Sequence, residues 1–208
     1  MSIRKYIAEF IGTFFLVFIM GLTGNPIAIG LIFGALIYWG TNISGAHFNP
    51  AISLAVLIKG EIKIKNFIFY SAAQLFGAFF AALVIYSIRD VVYFPSPGLD
   101  VHYVKSILCE LLLTFLLCSV YLTVMFHKKF IGNNIYGIVV GFTLIAIMFA
   151  GSSISGGVFN PAAGLGTGLF DLLITGDGIN HSWLYIVGPF TGAAFAGLIY
   201  NFFEFGNK

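Results

Sequence analysis

Charge is what this sequence has least of. Ten lysines and arginines and eight aspartates and glutamates make up only 9% of its 208 residues, with a formal net charge of +2. A soluble domain carries roughly a quarter charged residues. A chain of this length with so few cannot cover a water-facing surface, which excludes a soluble enzyme and a disordered protein. With no basic field to hold phosphates, a nucleic-acid binder is excluded as well. Cysteine is scarce too: Cys109 and Cys118 lie in one apolar stretch. On one helix their spacing would be about 13 Å at 1.5 Å per residue. That is too far for a disulfide, so both read as small core residues. There is no His-Glu-x-x-His and no serine beside a plausible base, so no catalytic residue and no metal ligand set is expected.

What is abundant is apolar: 59% of residues are hydrophobic, with 24 phenylalanines and 25 glycines. The runs are long and regular, at about 6–23, 27–42, 66–87, 105–126, 134–151 and 183–203. Each approaches the roughly 20 residues a spanning helix needs. Two shorter apolar pieces, 51–58 and 162–174, are too short to span. The start, Met1-Ser2-Ile3-Arg4-Lys5, has the charge of a signal peptide. The run after it is too long and lacks a clean cleavage site, so it reads as a retained first span. The fold class expected is an all-α membrane protein of six transmembrane helices plus two re-entrant half-helices. The phenylalanines are expected to face lipid or pack between helices.

With the N-terminus cytoplasmic and six crossings, Arg4, Lys5, Lys59, Lys63, Lys65, Lys128, Lys129 and Lys208 fall inside, and only Arg89 and Lys105 outside. Eight against two is a positive-inside bias, so both termini are expected in the cytoplasm of a plasma or inner membrane. The halves also match. Glu9-x-x-x-Thr13 answers Glu110-x-x-x-Thr114, and Gly77-Ala78-x-x-Ala81 answers Gly192-Ala193-x-x-Ala196. Ser44-Gly45-Ala46-x-Phe48-Asn49-Pro50-Ala51 answers Ser155-Gly156-Gly157-x-Phe159-Asn160-Pro161-Ala162. Gly30 and Gly141 each stand nineteen residues before the Asn of their motif. One transmembrane domain over 1–208 is therefore expected, built from repeats of about 1–88 and 103–208. Three spans per half make the repeats inverted, a transport architecture with its site near the midplane.

Asn-Pro-Ala occurs by chance at about one position in ten thousand; here two copies each open a short apolar piece. Proline suits the first position of a helix and Asn is a good N-cap before it. Half-helices entering from opposite sides would bring two positive dipole ends together at the midplane. The amides of Asn49 and Asn160 could each donate an N–H to the lumen. Cations and protons would meet a barrier there, while neutral hydroxyl solutes would find donors. Irregular backbone at that depth is tolerated only inside protein or beside a wet cavity. Glu9 and Glu110 are intramembrane acids, functional by default. Each is either a proton relay or an acceptor for the N–H groups of a re-entrant loop. His47 is either a hydrogen-bonded loop residue or a pore-lining, pH-responsive group.

On these motifs the whole chain resembles the aquaporins of the major intrinsic protein family. Ile43 through Ala51 is close to the family's first loop, and Gly188-Pro189-Phe190 opening the last span is family-like. The resemblance implies a homotetramer with one pore per subunit, partnered by the lipid bilayer and by small neutral solutes and water, with no cofactor. It favours the loop-supporting role for Glu9 and Glu110. The chain departs from the family at the outer constriction, whose four positions carry over to Ile29, Met148, Gly157 and Ala163. Most aquaporins have an arginine where Ala163 stands. Small Gly157 and Ala163, with donor-free Ile29 and Met148, predict a wider, apolar constriction without a fixed charge. The expected function is a passive channel for glycerol-like polyols, urea-like molecules or metalloid hydroxides, with water. Flexible Met148 could instead close the gap, leaving a water-selective pore; a scaffold with a vestigial pore is the further alternative.

Overall fold

Short punctuation residues set the helix boundaries in the computed structural model, which describes residues 3–130 and 132–205. α1 (Ile3–Thr23) stops at Gly24, and α2 (Pro26–Ser44) starts at once, because the Asn25 Oδ1 accepts the N–H of Ile27 at 2.8 Å. After α2 come the half-helix α3 (Pro50–Lys59) and the long α4 (Ile64–Arg89). A loop over 90–102 leads to α5 (Tyr103–Phe126), then α6 (Tyr136–Ser155) and the second half-helix α7 (Pro161–Asp171). A single turn, α8 (Ile179–Ser182), precedes α9 (Leu184–Phe205). Six of these elements are long and apolar enough to cross a membrane, and among the described residues no strand occurs. Large side chains such as Phe76, Phe142, Phe149, Leu198 and Phe202 are exposed on the outside of the bundle. An apolar exterior of this kind belongs in lipid: the chain is an integral, multi-pass membrane protein.

Side-chain contacts fix the directions. Tyr6 donates to Asn66 Oδ1 at 3.1 Å at the start of α1 and α4, and Arg89 donates to the Gly21 and Leu22 carbonyls, both at 3.1 Å, at their ends. α1 and α4 therefore run parallel. α5 and α9 run parallel to each other, with Tyr103 against Trp183 at one end and Lys59 bridging Phe126 and Glu204 at the other. The C-terminus of α3 lies at the latter end. That of α7 lies at the opposite end, where Phe170 meets Tyr86. The half-helices thus enter from opposite faces and meet at their N-termini. Arg4, Lys5, Lys59, Lys63, Lys65, Lys128 and Lys129 lie at the first face, and Arg89 and Lys105 at the second. Lys208 lies outside the described residues.

Glycine allows the central crossing. α2 and α6 approach so closely that a Cβ on Gly30 would stand 2.5 Å from the Gly141 carbonyl oxygen, and one on Gly34 2.7 Å from that of Gly137. Such backbone contact gives dispersion contacts that lipid cannot match.

Two sequence expectations shift. Gly188-Pro189-Phe190 does not open the last span; Pro189 lies inside α9, which begins at Leu184. Proline is accommodated near a helix start, and here its missing N–H frees only the Tyr185 carbonyl. The second short piece ends at Asp171 rather than 174. The Asp171 carboxylate accepts the N–H of Gly178 at 2.5 Å and the hydroxyl of Thr175, folding residues 172–178 into a turn. Cys109 and Cys118 are both free.

Candidate functional site

The two Asn-Pro-Ala segments meet through their asparagines. Each side chain first caps its own helix: Asn49 Oδ1 accepts the N–H of Ala51 at 2.8 Å, and Asn160 Oδ1 that of Ala162 at 3.0 Å. Each amide then reaches across. Asn49 Nδ2 donates to the Phe159 carbonyl at 2.7 Å, and Asn160 Nδ2 to the Phe48 carbonyl at 3.0 Å. The exchange is reciprocal, so each loop holds the other's asparagine. An amide nitrogen carries two N–H donors. One is spent on the cross-loop bond, and the other is left for the lumen that both side chains line.

The loops ahead of the prolines repeat one backbone shape. Gly45, Ala46 and Phe48 have φ of 94°, 58° and 49°; Gly156, Gly157 and Phe159 have 90°, 65° and 50°. The left-handed residues turn successive N–H groups to one side, where a glutamate receives them. Glu9 accepts Ser44 Oγ at 2.6 Å and the N–H groups of His47 and Phe48 at 3.1 and 2.6 Å. Glu110 accepts Ser155 Oγ at 2.7 Å and the N–H groups of Val158 and Phe159 at 3.0 and 2.7 Å. Tyr70 and Tyr185 brace the same turns by donating to the Ser44 and Ser155 carbonyls, both at 2.7 Å.

The halves differ beside Glu9. Gln74 Nε2 donates to Glu9 Oε2 at 2.7 Å and to Ser53 Oγ at 3.1 Å, and His47 Nδ1 lies 2.9 Å from the same hydroxyl. The His47 ring sits edge-on between Tyr70 and Tyr121, and Tyr121 donates to the Gly45 carbonyl at 2.6 Å. At the matching place in the second half stands Val158, with no such polar cluster.

A narrow cavity opens beside the asparagines. α1 contributes Leu16 and Met20, α2 Ile29 and Phe33, α6 Leu144 and Met148. Leu117, Val158 and Phe159 complete the apolar part of its wall. Its volume is about 10 Å³, close to what a single water needs. Of the four expected constriction positions, Ile29 and Met148 line this space. Gly157 and Ala163 are buried but do not.

Two ionisable groups outside the spans are shifted. At the first face, burial works to lower the Lys59 ammonium, but the carboxylates of Glu61 and Glu204 at 3.0 and 3.4 Å outweigh it and raise it overall. In the 90–102 loop, burial pushes the Tyr93 phenol up to about 12.

Tyr70, Tyr185, Gln74, Leu16, Met20, Phe33, Leu117 and Leu144 were not singled out from the sequence. A signal was available for some of them. Leu16 and Leu117 each follow their glutamate by seven residues, and Phe33 and Leu144 each follow Gly30 and Gly141 by three.

Comparison with known proteins accords with this geometry. Residues 1–200 match the family model described as Major intrinsic protein. The chain is 35% identical over 213 residues to the glycerol uptake facilitator protein-like 6 of Lactiplantibacillus plantarum, covering 93% of this chain and 94% of that one. It is 32% identical over 259 residues to aquaporin-B of Dictyostelium discoideum, covering 99% and 85%. The X-ray structure of the aquaglyceroporin from Plasmodium falciparum superposes with a TM-score of 0.86 at 25% identity, over 95% of each chain. Inverted spans, opposed half-helices joined by reciprocal asparagines and a match along nearly the whole length lead to one conclusion: the chain belongs to the major intrinsic protein family.

Proposed function

We propose that this protein is a passive channel for water and small uncharged solutes of the glycerol-like, urea-like or metalloid hydroxide kind. The observation that carries the reading is the reciprocal asparagine junction, where two half-helix N-termini face one lumen with a spare amide donor each. Positive dipole ends there oppose cations and protons. In this reading Asn49, Pro50, Ala51, Asn160, Pro161 and Ala162 form the central barrier. Ile29, Met148, Gly157 and Ala163 belong to the outer constriction. Glu9 and Glu110 hold the loops by accepting their N–H groups, and His47 supports the first loop through Ser53. The repeats are about 1–88 and 103–208 within one domain. The lysine-rich face is cytoplasmic, consistent with the positive-inside rule, and the family resemblance implies a homotetramer in a plasma or inner membrane.

A second reading has its own support. Room for about one water among apolar walls suits a water-selective pore as well as a solute pore. Stopped-flow light scattering on proteoliposomes separates them. Fast shrinkage in sucrose with fast re-swelling in glycerol supports the solute channel; slow re-swelling supports the water-selective pore. Asn160→Asp places an anion at the junction and should reduce neutral flux. Unchanged flux with unchanged ion exclusion overturns the pore assignment.

A further inference from the structure

The missing arginine leaves an expected gap at the outer constriction, yet the cavity beside the asparagines has room for only about one water. Side chains other than Gly157 and Ala163 fill it. Gly157 and Ala163 bring little volume and do not reach the cavity wall, while Met20, from α1, does. Met20 sits one helical turn beyond Leu16, and Met148 one turn beyond Leu144, so two helices present the same Leu-then-Met step to one space. Both thioethers are almost wholly buried, at 5% and 4% exposure. Gly21, the next residue, is packed against Ile85 and Tyr93, where a Cβ would stand 2.3 Å and 3.0 Å away. The repeat register gives the equivalent position in the second half. Counted from Glu9 and Glu110, Met20 corresponds to Tyr121, which packs on His47 and donates to the Gly45 carbonyl of the loop before the first asparagine. The position is buried inside the bundle in both halves.

We propose that Met20 is a fifth specificity-determining side chain, which together with Met148 occupies the volume left by Gly157 and Ala163 and sets the size limit of the pore. The proposal rests on the channel reading above. A thioether is unbranched and adaptable. It offers no donor, so it selects by size and by tolerance of an apolar wall. The class it limits is uncharged solutes larger than water, glycerol and urea among them.

The test compares water, glycerol and urea permeability of proteoliposomes carrying wild type, Met20→Ala, Met20→Leu and Met148→Ala. Met20→Ala should raise glycerol and urea permeability about tenfold, the effect of removing a few apolar atoms from a discriminating wall, with water changing much less. Met20→Leu conserves volume and should keep the wild-type ratios, which also shows that substitution at this site leaves a folded protein. Met20→Cys should be blocked by a small thiol reagent added from the outer face, with unmodified protein as the control for Cys109 and Cys118. If Met148→Ala alone widens the limit, or if neither alanine variant shifts the ratios while wild type conducts water, the role given to Met20 is wrong. If wild type and every variant conduct nothing, the channel reading itself fails and the proposal with it.

Discussion

Replacing Glu110 tests how the second loop is held. Its carboxylate accepts three bonds, from Ser155 Oγ at 2.7 Å and from the N–H groups of Val158 and Phe159 at 3.0 and 2.7 Å. All three donors belong to buried residues. The Ser155 hydroxyl keeps the Gly151 carbonyl at 3.4 Å as an acceptor, but the two N–H groups are left without one at about 1–3 kcal/mol each, so Glu110→Ala should destabilise by about 2–6 kcal/mol. That is a large fraction of the roughly 5–15 kcal/mol that holds a typical domain together. Glu110→Gln keeps one acceptor oxygen. If that oxygen takes the place of Oε1, only the Phe159 bond is lost, at a cost of about 1–3 kcal/mol. The expected order of stability is wild type, then Gln, then Ala. Flux should fall in the same order, because the Phe159 carbonyl that orients Asn49 moves with the loop. The assay is unfolding followed by tryptophan fluorescence in detergent, paired with water flux in proteoliposomes. A proton relay would give another pattern: both variants remove the titrating group, so both would lose the same function while keeping their stability. An alanine variant within about 1 kcal/mol of wild type refutes the anchoring argument.

Three further outcomes are expected. Ala163→Arg restores bulk and charge at a buried position beside Asn160; it should cut glycerol permeation more than water, and an unchanged solute-to-water ratio removes Ala163 from the constriction. Ala46 and Gly157 occupy the same slot of the repeated loop with φ of 58° and 65°. Ala46→Gly should therefore leave stability unchanged or raise it by up to about 1 kcal/mol, and Gly157→Ala should lower it; the unfolding assay decides, and the opposite signs refute the strain argument. Burial raises the Tyr93 phenol to about 12, so its contribution is complete below the ordinary tyrosine value near 10 and is lost as pH climbs through about 12. Proteolysis of the 90–102 loop should accelerate over that alkaline window in wild type and lose this dependence in Tyr93→Phe.

The parts of the site legible in the sequence were those whose chemistry is local. Asn-Pro announces a capped helix start wherever it stands, and the same device opens α2 at Asn25-Pro26. Glu9 and Glu110 stood out because a carboxylate inside an apolar run demands partners. The lumen wall was harder. α1 and α6 are apolar around most of their circumference, so no polar stripe tells which face meets water and which meets lipid. Met20 and Leu144 looked like any other apolar residue of their spans. The reciprocal asparagine bonds were also invisible, because their acceptors are backbone carbonyls, which every residue has. Pro189 misled for a related reason: proline marks a helix start so often that its place inside α9 can be seen only from the hydrogen-bonded turn ahead of it.

The crossed asparagine bonds bear on how the protein is made. The partner of Asn49 is the carbonyl of a residue 110 positions later, and that of Asn160 lies 112 positions earlier. While the ribosome is still making the second half, the first loop has a glutamate to receive its N–H groups but no acceptor for its asparagine. Synthesis therefore passes through a stage in which an amide sits in the bilayer without its final partner. The first half alone is an unfinished wall, and the conduit exists only once α7 has been threaded from the other face.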